Sequence, residues 1–173
     1  MTDQTETASD SVLSAARVFA KRTSVEQIEE GVELAPKFDA DGLLPCVTTD
    51  ASTGDVLMVG YMNAEALVRT IETGEAHYWS RSRGKLWRKG ATSGLVQTVN
   101  ELLIDDDQDA VWLKVTIPGS GASCHVGYRS CFYRTIDRRT SESDGPAKLQ
   151  FCESAKAFEP REVYGDAPNP TQL

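Results

Sequence analysis

From Ala76 to Asn100 the chain contains no acidic residue, yet it carries Arg81, Arg83, Lys85, Arg88 and Lys89. Gly84, Gly90, Thr92, Ser93 and Gly94 are interleaved with them. Arginine forks grip phosphate oxygens and glycines let backbone N–H groups approach them, so the pattern suits a phosphorylated small molecule. A solvated basic hairpin would have the same composition. The next ten residues invert the charge, with Glu101, Asp105, Asp106, Asp107 and Asp109 and no base up to Ala110. Asp105, Asp107 and Asp109 alternate, which places them on one face of a strand or lets them converge in a tight turn. Carboxylates held close repel each other unless a divalent ion or a basic partner offsets them. Mg²⁺ fits, since it takes few carboxylates and completes its shell with water and substrate phosphate. A polar hairpin turn is the simpler alternative.

Cys124 and Cys131 stand seven apart, with His125 beside the first. Two soft thiolates suit Zn²⁺, but a catalytic zinc needs a third protein ligand and an open position. His125 or a carboxylate has the chemistry to be that third ligand; a pair of core cysteines is the alternative reading. Cys46, in the apolar run 43–47, reads as a small buried hydrophobe, and Cys152 lies in a tail.

The elements that must position these groups are short. Residues 43–49 and 56–61 are apolar runs separated by Asp50-Ala51-Ser52-Thr53-Gly54-Asp55, a hairpin pattern. Asn63 can cap a helix whose inner face carries Ala66, Leu67 and Ile71 and which Gly74 ends. His77-Tyr78-Trp79 is strand-like, and residues 95–104, 110–117 and 126–134 are further candidate strands. The fold class expected is α+β: a mostly antiparallel β-sheet domain with one or two short helices and an N-terminal helical extension. Residues 1–36 are that extension, with a helix near 11–22 carrying Val12, Ala15, Ala16 and Phe19. A second helix follows, capped by Ser24 with Gln27, bearing Val25, Ile28 and Val32 on one face and stopped by Pro36. The domain spans 37–136, and 137–173 is a charged, proline-containing tail that can dock in part.

The whole chain has 173 residues, with 18 Lys and Arg against 26 Asp and Glu, hence a net charge of −8. That balance argues against sequence-independent nucleic-acid binding. No apolar run approaches the ~20 residues that span a bilayer, and the acidic start MTDQTETASD is unlike a signal peptide, so a cytoplasmic location with no membrane partner is expected.

Residues 42–134 resemble the phosphoribosyl-AMP cyclohydrolase family of histidine biosynthesis. The matching stretches are GLLPCV, VLMVGYMNAEAL, TGEAHYWSRSRGKLWRKGATSG, the acidic cluster and CHVGYRSCFYR, in family order. The resemblance implies a metal-dependent hydrolase that opens the adenine ring of 1-(5-phosphoribosyl)-AMP between N1 and C6, by attack of a metal-activated water on C6. It implies Mg²⁺ on Asp105, Asp107 and Asp109, zinc on Cys124 and Cys131, and a homodimer that completes the metal site. Trp79 and Trp87 would be candidates to stack on the base. Arg81, Arg83, Arg88 and Lys89 would hold the phosphates beside Thr92 and Ser93, and His77 or His125 would transfer protons. The family pattern at the acidic cluster is Asp-Cys-Asp-x-Asp, and this chain has Asp106 where the third thiolate belongs. A carboxylate hardens the site, favouring Fe²⁺ or Mn²⁺ relative to a three-thiolate site, so a zinc-sparing paralogue is implied. The alternative is a repurposed or non-catalytic metal-binding paralogue of the same fold. The pyrophosphohydrolase domain often fused C-terminally in the family would not fit after Arg134, so a monofunctional chain is expected.

Overall fold

The computed structural model describes residues 15–137, 145–167, 169 and 171. Strands β1 (Leu44–Asp50), β2 (Val56–Met62), β5 (Thr98–Ile104) and β6 (Val111–Thr116) form a four-stranded sheet in the order β2-β1-β6-β5. All its pairings are antiparallel except β1 with β6, which run parallel from Cys46 opposite Val111. Strands β3 (His77–Ser80) and β4 (Lys85–Arg88) make a separate antiparallel ribbon, and β7 (Arg134–Ile136) pairs with β8 (Leu149–Phe151) in a third. No helix among the described residues is long and apolar enough to cross a membrane.

Asn63 caps the Ala64–Thr73 helix by accepting from the Ala66 N–H at 2.9 Å, and Gly74 ends it at φ 66°. Such a cap is worth about 1 kcal/mol. The helix buries Ala66, Leu67, Val68 and Thr70, whereas Ile71, expected on the inner face, is exposed. Leu44, Leu57, Met62, Leu113 and Val115 fill the core from the sheet side.

The N-terminal segment is shorter in helix than its pattern suggests. Residues 15–18 are helical, and Val12 lies outside the described residues. Ser24 caps the Val25–Glu30 helix as expected, but Gly31 ends it, not Pro36. Only Ile28 of its apolar positions is buried, since six residues are too few to bring Val25 and Val32 onto one stripe. The segment is nevertheless fastened down. The Gln108 side chain accepts from the Ala35 N–H and donates to the Ile28 and Glu33 carbonyls, while Arg22 reaches the carbonyls of Ala35 and Asp107.

The strand expected over 126–134 does not form: residues 126–133 are a loop, and only Arg134 enters a strand, as the first residue of β7. Gly127, at φ 99°, turns the chain so that its N–H bonds the Cys124 carbonyl, and the backbone then returns with Cys124 N–H on Tyr128 O and Ser123 N–H on Arg129 O. The apolar look of the segment reflects a close-packed loop, with Tyr128, Tyr133 and Phe151 clustered above it.

Arg129 pins that loop to the β1–β2 hairpin, reaching Asp50 at 3.0 Å and Asp55 at 2.6 Å. The Ser52 hydroxyl, with the Ser52 and Thr53 N–H groups and Arg129 adding and partial burial opposing, holds the Asp50 carboxyl down at about 2. Its folded pKa thus lies below the ordinary 3.8, so the stabilisation is complete above that value and is lost as pH falls through about 2. Asp50→Asn is expected to cost about 1–3 kcal/mol at neutral pH. In urea unfolding the gap to wild type should narrow as pH is lowered below about 4. A gap that does not change with pH would contradict the assignment.

Candidate active site

The β3–β4 ribbon, the glycine-rich turn after it and the 123–131 loop enclose a 360 Å³ cavity. Arg83, Trp87, Arg88, Lys89, Thr92, Ser93, His125 and Cys131 all contribute to its lining. Six residues from the basic segment and two from the thiol loop thus come together on one wall. Gly90, at φ 85°, makes it possible: a Cβ there would collide with the backbone of Leu95 and Val96, so the turn closes only around glycine. Arg83 donates to Ser80 at 3.0 Å and lies 5.6 Å from the Trp87 ring centre, which also has Tyr78 at 5.4 Å and the Lys89 ammonium at 5.6 Å. Arg88 pairs with Glu75 at 2.8 Å, which neutralises part of its charge.

Cys124 is buried, Cys131 is open to the cavity, and the two thiols hydrogen-bond to each other. The Cys131 thiol lowers the pKa of Cys124 to about 6, with burial opposing and the Val126 N–H and Lys89 helping. Cys131 is correspondingly pushed up, first by that hydrogen bond and then by burial and the Cys124 charge. Cys124 is thus the more acidic thiol of the pair, and together they make a soft donor set suited to a borderline cation. Lys89 is half-buried here, donating to the Ser123 carbonyl, and burial lowers its pKa while the thiolates oppose that. The basic segment thus sends one cation to the thiols and leaves Arg83 and Arg88 at the cavity wall. His125 also faces the cavity, with a buried Nε2 that has no hydrogen-bond partner. Burial lowers its pKa, against a hydrogen bond that the imidazole donates to Asn169.

Other sequence candidates lie apart. His77, the first residue of β3, is buried against the Ala64–Thr73 helix, its N–H on Thr70 and its Nδ1 2.8 Å from the Glu75 carbonyl, and it does not line this cavity. Trp79 and Arg81 line a neighbouring groove, where Arg81 lies 3.9 Å over the Tyr61 ring.

A chain of buried hydrogen bonds, missed in the sequence, aims the thiol loop. Thr48 on β1 meets the Tyr78 hydroxyl at 2.7 Å, Tyr78 donates to Gln97 at 2.7 Å, and Gln97 donates to Ser123 at 3.1 Å. Gln97, a polar residue among Leu95, Val96 and Val99, was the available signal, because a buried amide demands partners.

Asp105, Asp107 and Asp109 converge in the β5–β6 turn, with carboxylate oxygens within 4.8 Å of one another. Asp105 accepts from the Asp109 and Ala110 N–H groups, and Lys37 bonds Asp107 at 2.9 Å and Asp109 at 3.0 Å. The Lys37 hydrogen bond lowers the Asp107 pKa. Three convergent hard oxygens fit a hard divalent cation. Asp106, exposed in the same turn, makes no hydrogen bond or ion pair among the described residues.

The thiol pair and the acidic turn occupy opposite corners of the sheet. Cys131 N–H bonds Leu57 O on the β2 edge, three residues beyond the Gly60 level where Cys46 and Val111 pair, while Asp106 caps the β5–β6 end. With ~4.8 Å per strand step and ~3.3 Å per residue, they are on the order of 15 Å apart within one chain. Among the described residues no third Cys, His, Asp or Glu joins the two thiols. They fit two positions of a metal shell, and a third must come from elsewhere.

Residues 58–133, which carry both groups, match the family model described as phosphoribosyl-AMP cyclohydrolase. Proteins named phosphoribosyl-AMP cyclohydrolase include one from Rhodopseudomonas palustris strain BisA53, 58% identical over 139 residues, covering 80% of this chain and 92% of the relative. Another, from strain ATCC BAA-98 / CGA009, is 56% identical over 152 residues, covering 88% and 98%. A third, from Rhizobium leguminosarum bv. trifolii strain WSM2304, is 52% identical over 138 residues, covering 80% and 89%. With identity above one half across most of both chains, the protein belongs to the phosphoribosyl-AMP cyclohydrolase family of enzymes.

Proposed function

We infer that this enzyme hydrolyses the N1–C6 bond of 1-(5-phosphoribosyl)-AMP in histidine biosynthesis, at a site shared between two copies of the chain. The observation that carries the reading is the cavity in which cationic side chains, an aromatic ring, an imidazole with an unpartnered Nε2 and the Cys131 thiol share one wall. The separation of Asp106 from the thiols favours a homodimer, in which the acidic turn of one copy meets the 123–131 loop of the other. Cys124, Cys131 and the second copy's Asp106 would then hold the catalytic divalent ion, and Asp105, Asp107 and Asp109 would hold Mg²⁺. A divalent ion at the thiols would supply water activation near neutral pH. A carboxylate in the third position makes Fe²⁺ or Mn²⁺ a better replacement for Zn²⁺ than it would be among three thiolates.

The chain's own residues account for the rest. Arg83 and Thr92 bind phosphate, and Trp87 offers its ring to the base. His125 Nε2, kept neutral by burial at physiological pH, can take a proton from the attacking water and return it to N1 as the ring opens. Lys89 places a positive charge beside the thiolates and limits their mutual repulsion.

Ring opening of phosphoribosyl-AMP, followed by ultraviolet absorbance with Zn²⁺, Fe²⁺ and Mn²⁺ in turn, tests the activity. Turnover is expected with at least one of them, and tight metal binding with no turnover would overturn the reading. Arg83→Ala is expected to raise KM by roughly 10–100-fold with a smaller fall in kcat, since a charge-assisted bond of about 1.5–3 kcal/mol acts mainly in uniform binding. An unchanged KM would make this arginine a solvated surface residue.

A further inference from the structure

A second cavity, of 680 Å³, continues the first. Arg83, Thr92, His125 and Tyr164 line both, and the second is closed by Pro160, Arg161, Gly165, Asp166, Ala167 and Asn169. That far wall belongs to the C-terminal segment, outside the residues that match the family model. We propose that residues 156–167 form a fixed wall of the substrate site, in which Arg161 binds one of the substrate's two phosphates opposite Arg83. The proposal rests on the reading of the substrate given above.

The segment is built onto the thiol loop at several points. Cys152 N–H bonds Tyr133 O at 2.8 Å, and the Glu153 carboxylate accepts from the Arg129 and Ser130 N–H groups at 2.9 and 3.0 Å. The Ala157 N–H bonds Gly127 O at 2.8 Å. A Cβ on Gly127 would collide with the Phe158 carbonyl, so the segment lies directly on the backbone two residues from His125. Phe158 then packs against Tyr164 at 6.1 Å, orienting the short Pro160–Tyr164 helix with Tyr164 at the junction of the two cavities.

Arg161 stands out in this wall. It is exposed, and its guanidinium makes no hydrogen bond or ion pair among the described residues, although Glu159, Glu162 and Asp166 are near in sequence. Arg83 faces the same space with its Nε on neutral Ser80 rather than on a carboxylate. Two arginines without acidic partners, on opposing walls of one cavity beside Thr92, make a site for a dianionic phosphate group. The substrate carries one phosphate on each ribose, and two joined cavities give each a place.

The test uses the full-length chain loaded with its working metal, comparing wild type, Arg161→Ala, Arg161→Lys and Gly127→Ala. KM for phosphoribosyl-AMP and the Kd of AMP by calorimetry are both measured. Arg161→Ala is expected to raise KM at least tenfold, with a smaller fall in kcat, and Arg161→Lys to recover part of the loss. Gly127→Ala should raise KM as well, by lifting the segment off the loop, while circular dichroism remains that of wild type. Unchanged KM and unchanged AMP affinity in Arg161→Ala would overturn the proposal even with wild type fully active. If wild type fails to turn over phosphoribosyl-AMP, the substrate reading fails. AMP binding that weakens in Arg161→Ala would still support the phosphate site, and AMP binding that does not would overturn it.

Discussion

Cys124→Ser is expected to lower turnover by far more than the ~10–100-fold that loss of an outer partner of a metal ligand costs. The change removes one of the two paired thiols, and the other, Cys131, has no third His, Cys, Asp or Glu within reach among the described residues. Serine is close to isosteric with cysteine, and the Cys124 N–H and C=O keep their bonds to Tyr128 and Gly127. The fold should therefore survive, with a stability loss on the order of 1 kcal/mol from a buried hydroxyl that lacks a good partner. Metal content by plasma emission and turnover should fall together. A Cys124→Ser protein that retains both metal and activity would make the pair ordinary core cysteines. Cys46, by contrast, is buried on β1 and pushed up to about 12 by desolvation, so it is no nucleophile or ligand, and Cys46→Ala should leave metal content unchanged.

The second large effect concerns Asp106. Asp106→Ala should lose the catalytic metal as completely as Cys124→Ser does, though the two positions lie on the order of 15 Å apart in one chain. Asp106→Cys should gain zinc affinity and hold zinc longer against a chelator than wild type does, since thiolate is the softer ligand. The wild type should recover activity with Mn²⁺ or Fe²⁺ more readily than the Asp106→Cys protein. Asp106 is exposed and has no partner among the described residues, so neither substitution removes a contact that holds the fold. Equal metal binding and equal turnover in wild type and Asp106→Ala would make Asp106 a bystander and end the zinc-sparing idea.

Much of this arrangement was legible in residue order. The Asn63 and Ser24 caps, the β1–β2 hairpin and the paired runs on either side of the acidic turn follow from local rules, and each stands where its pattern put it. The convergence of Asp105, Asp107 and Asp109 was one of two geometries open to alternating carboxylates, and a positive φ at Gln108 selects the turn. What local pattern could not give was tertiary. The strand expected over 126–134 is a loop because Gly127 reverses the chain, and only the packing of Ala157 and Phe158 on it shows why glycine is needed there. Lys89 reads as one more phosphate-binding cation until its ammonium is found half-buried beside two thiols. His77 and His125 were equivalent in sequence. The packing around Thr70 and Glu75 takes up the first, and the cavity receives the second. The parallel pairing of β1 with β6, across sixty residues of sequence, sets the sheet order that moves the acidic turn away from the thiols. Local periodicity carries no information on that distance.

The most direct test of a site shared between two chains is complementation of those two variants. Cys124→Ser and Asp106→Ala chains are co-expressed with different affinity tags, and the mixed dimer is isolated by sequential capture. Each parent dimer should be inactive. In the mixed dimer one site combines the intact thiols of the Asp106→Ala chain with the intact Asp106 of the Cys124→Ser chain, and the other site lacks both. Its turnover per dimer should therefore be about half that of wild type, as two-fold symmetry requires. A mixed dimer as inactive as its parents, or a wild-type protein fully active as a monomer, would contradict the shared site.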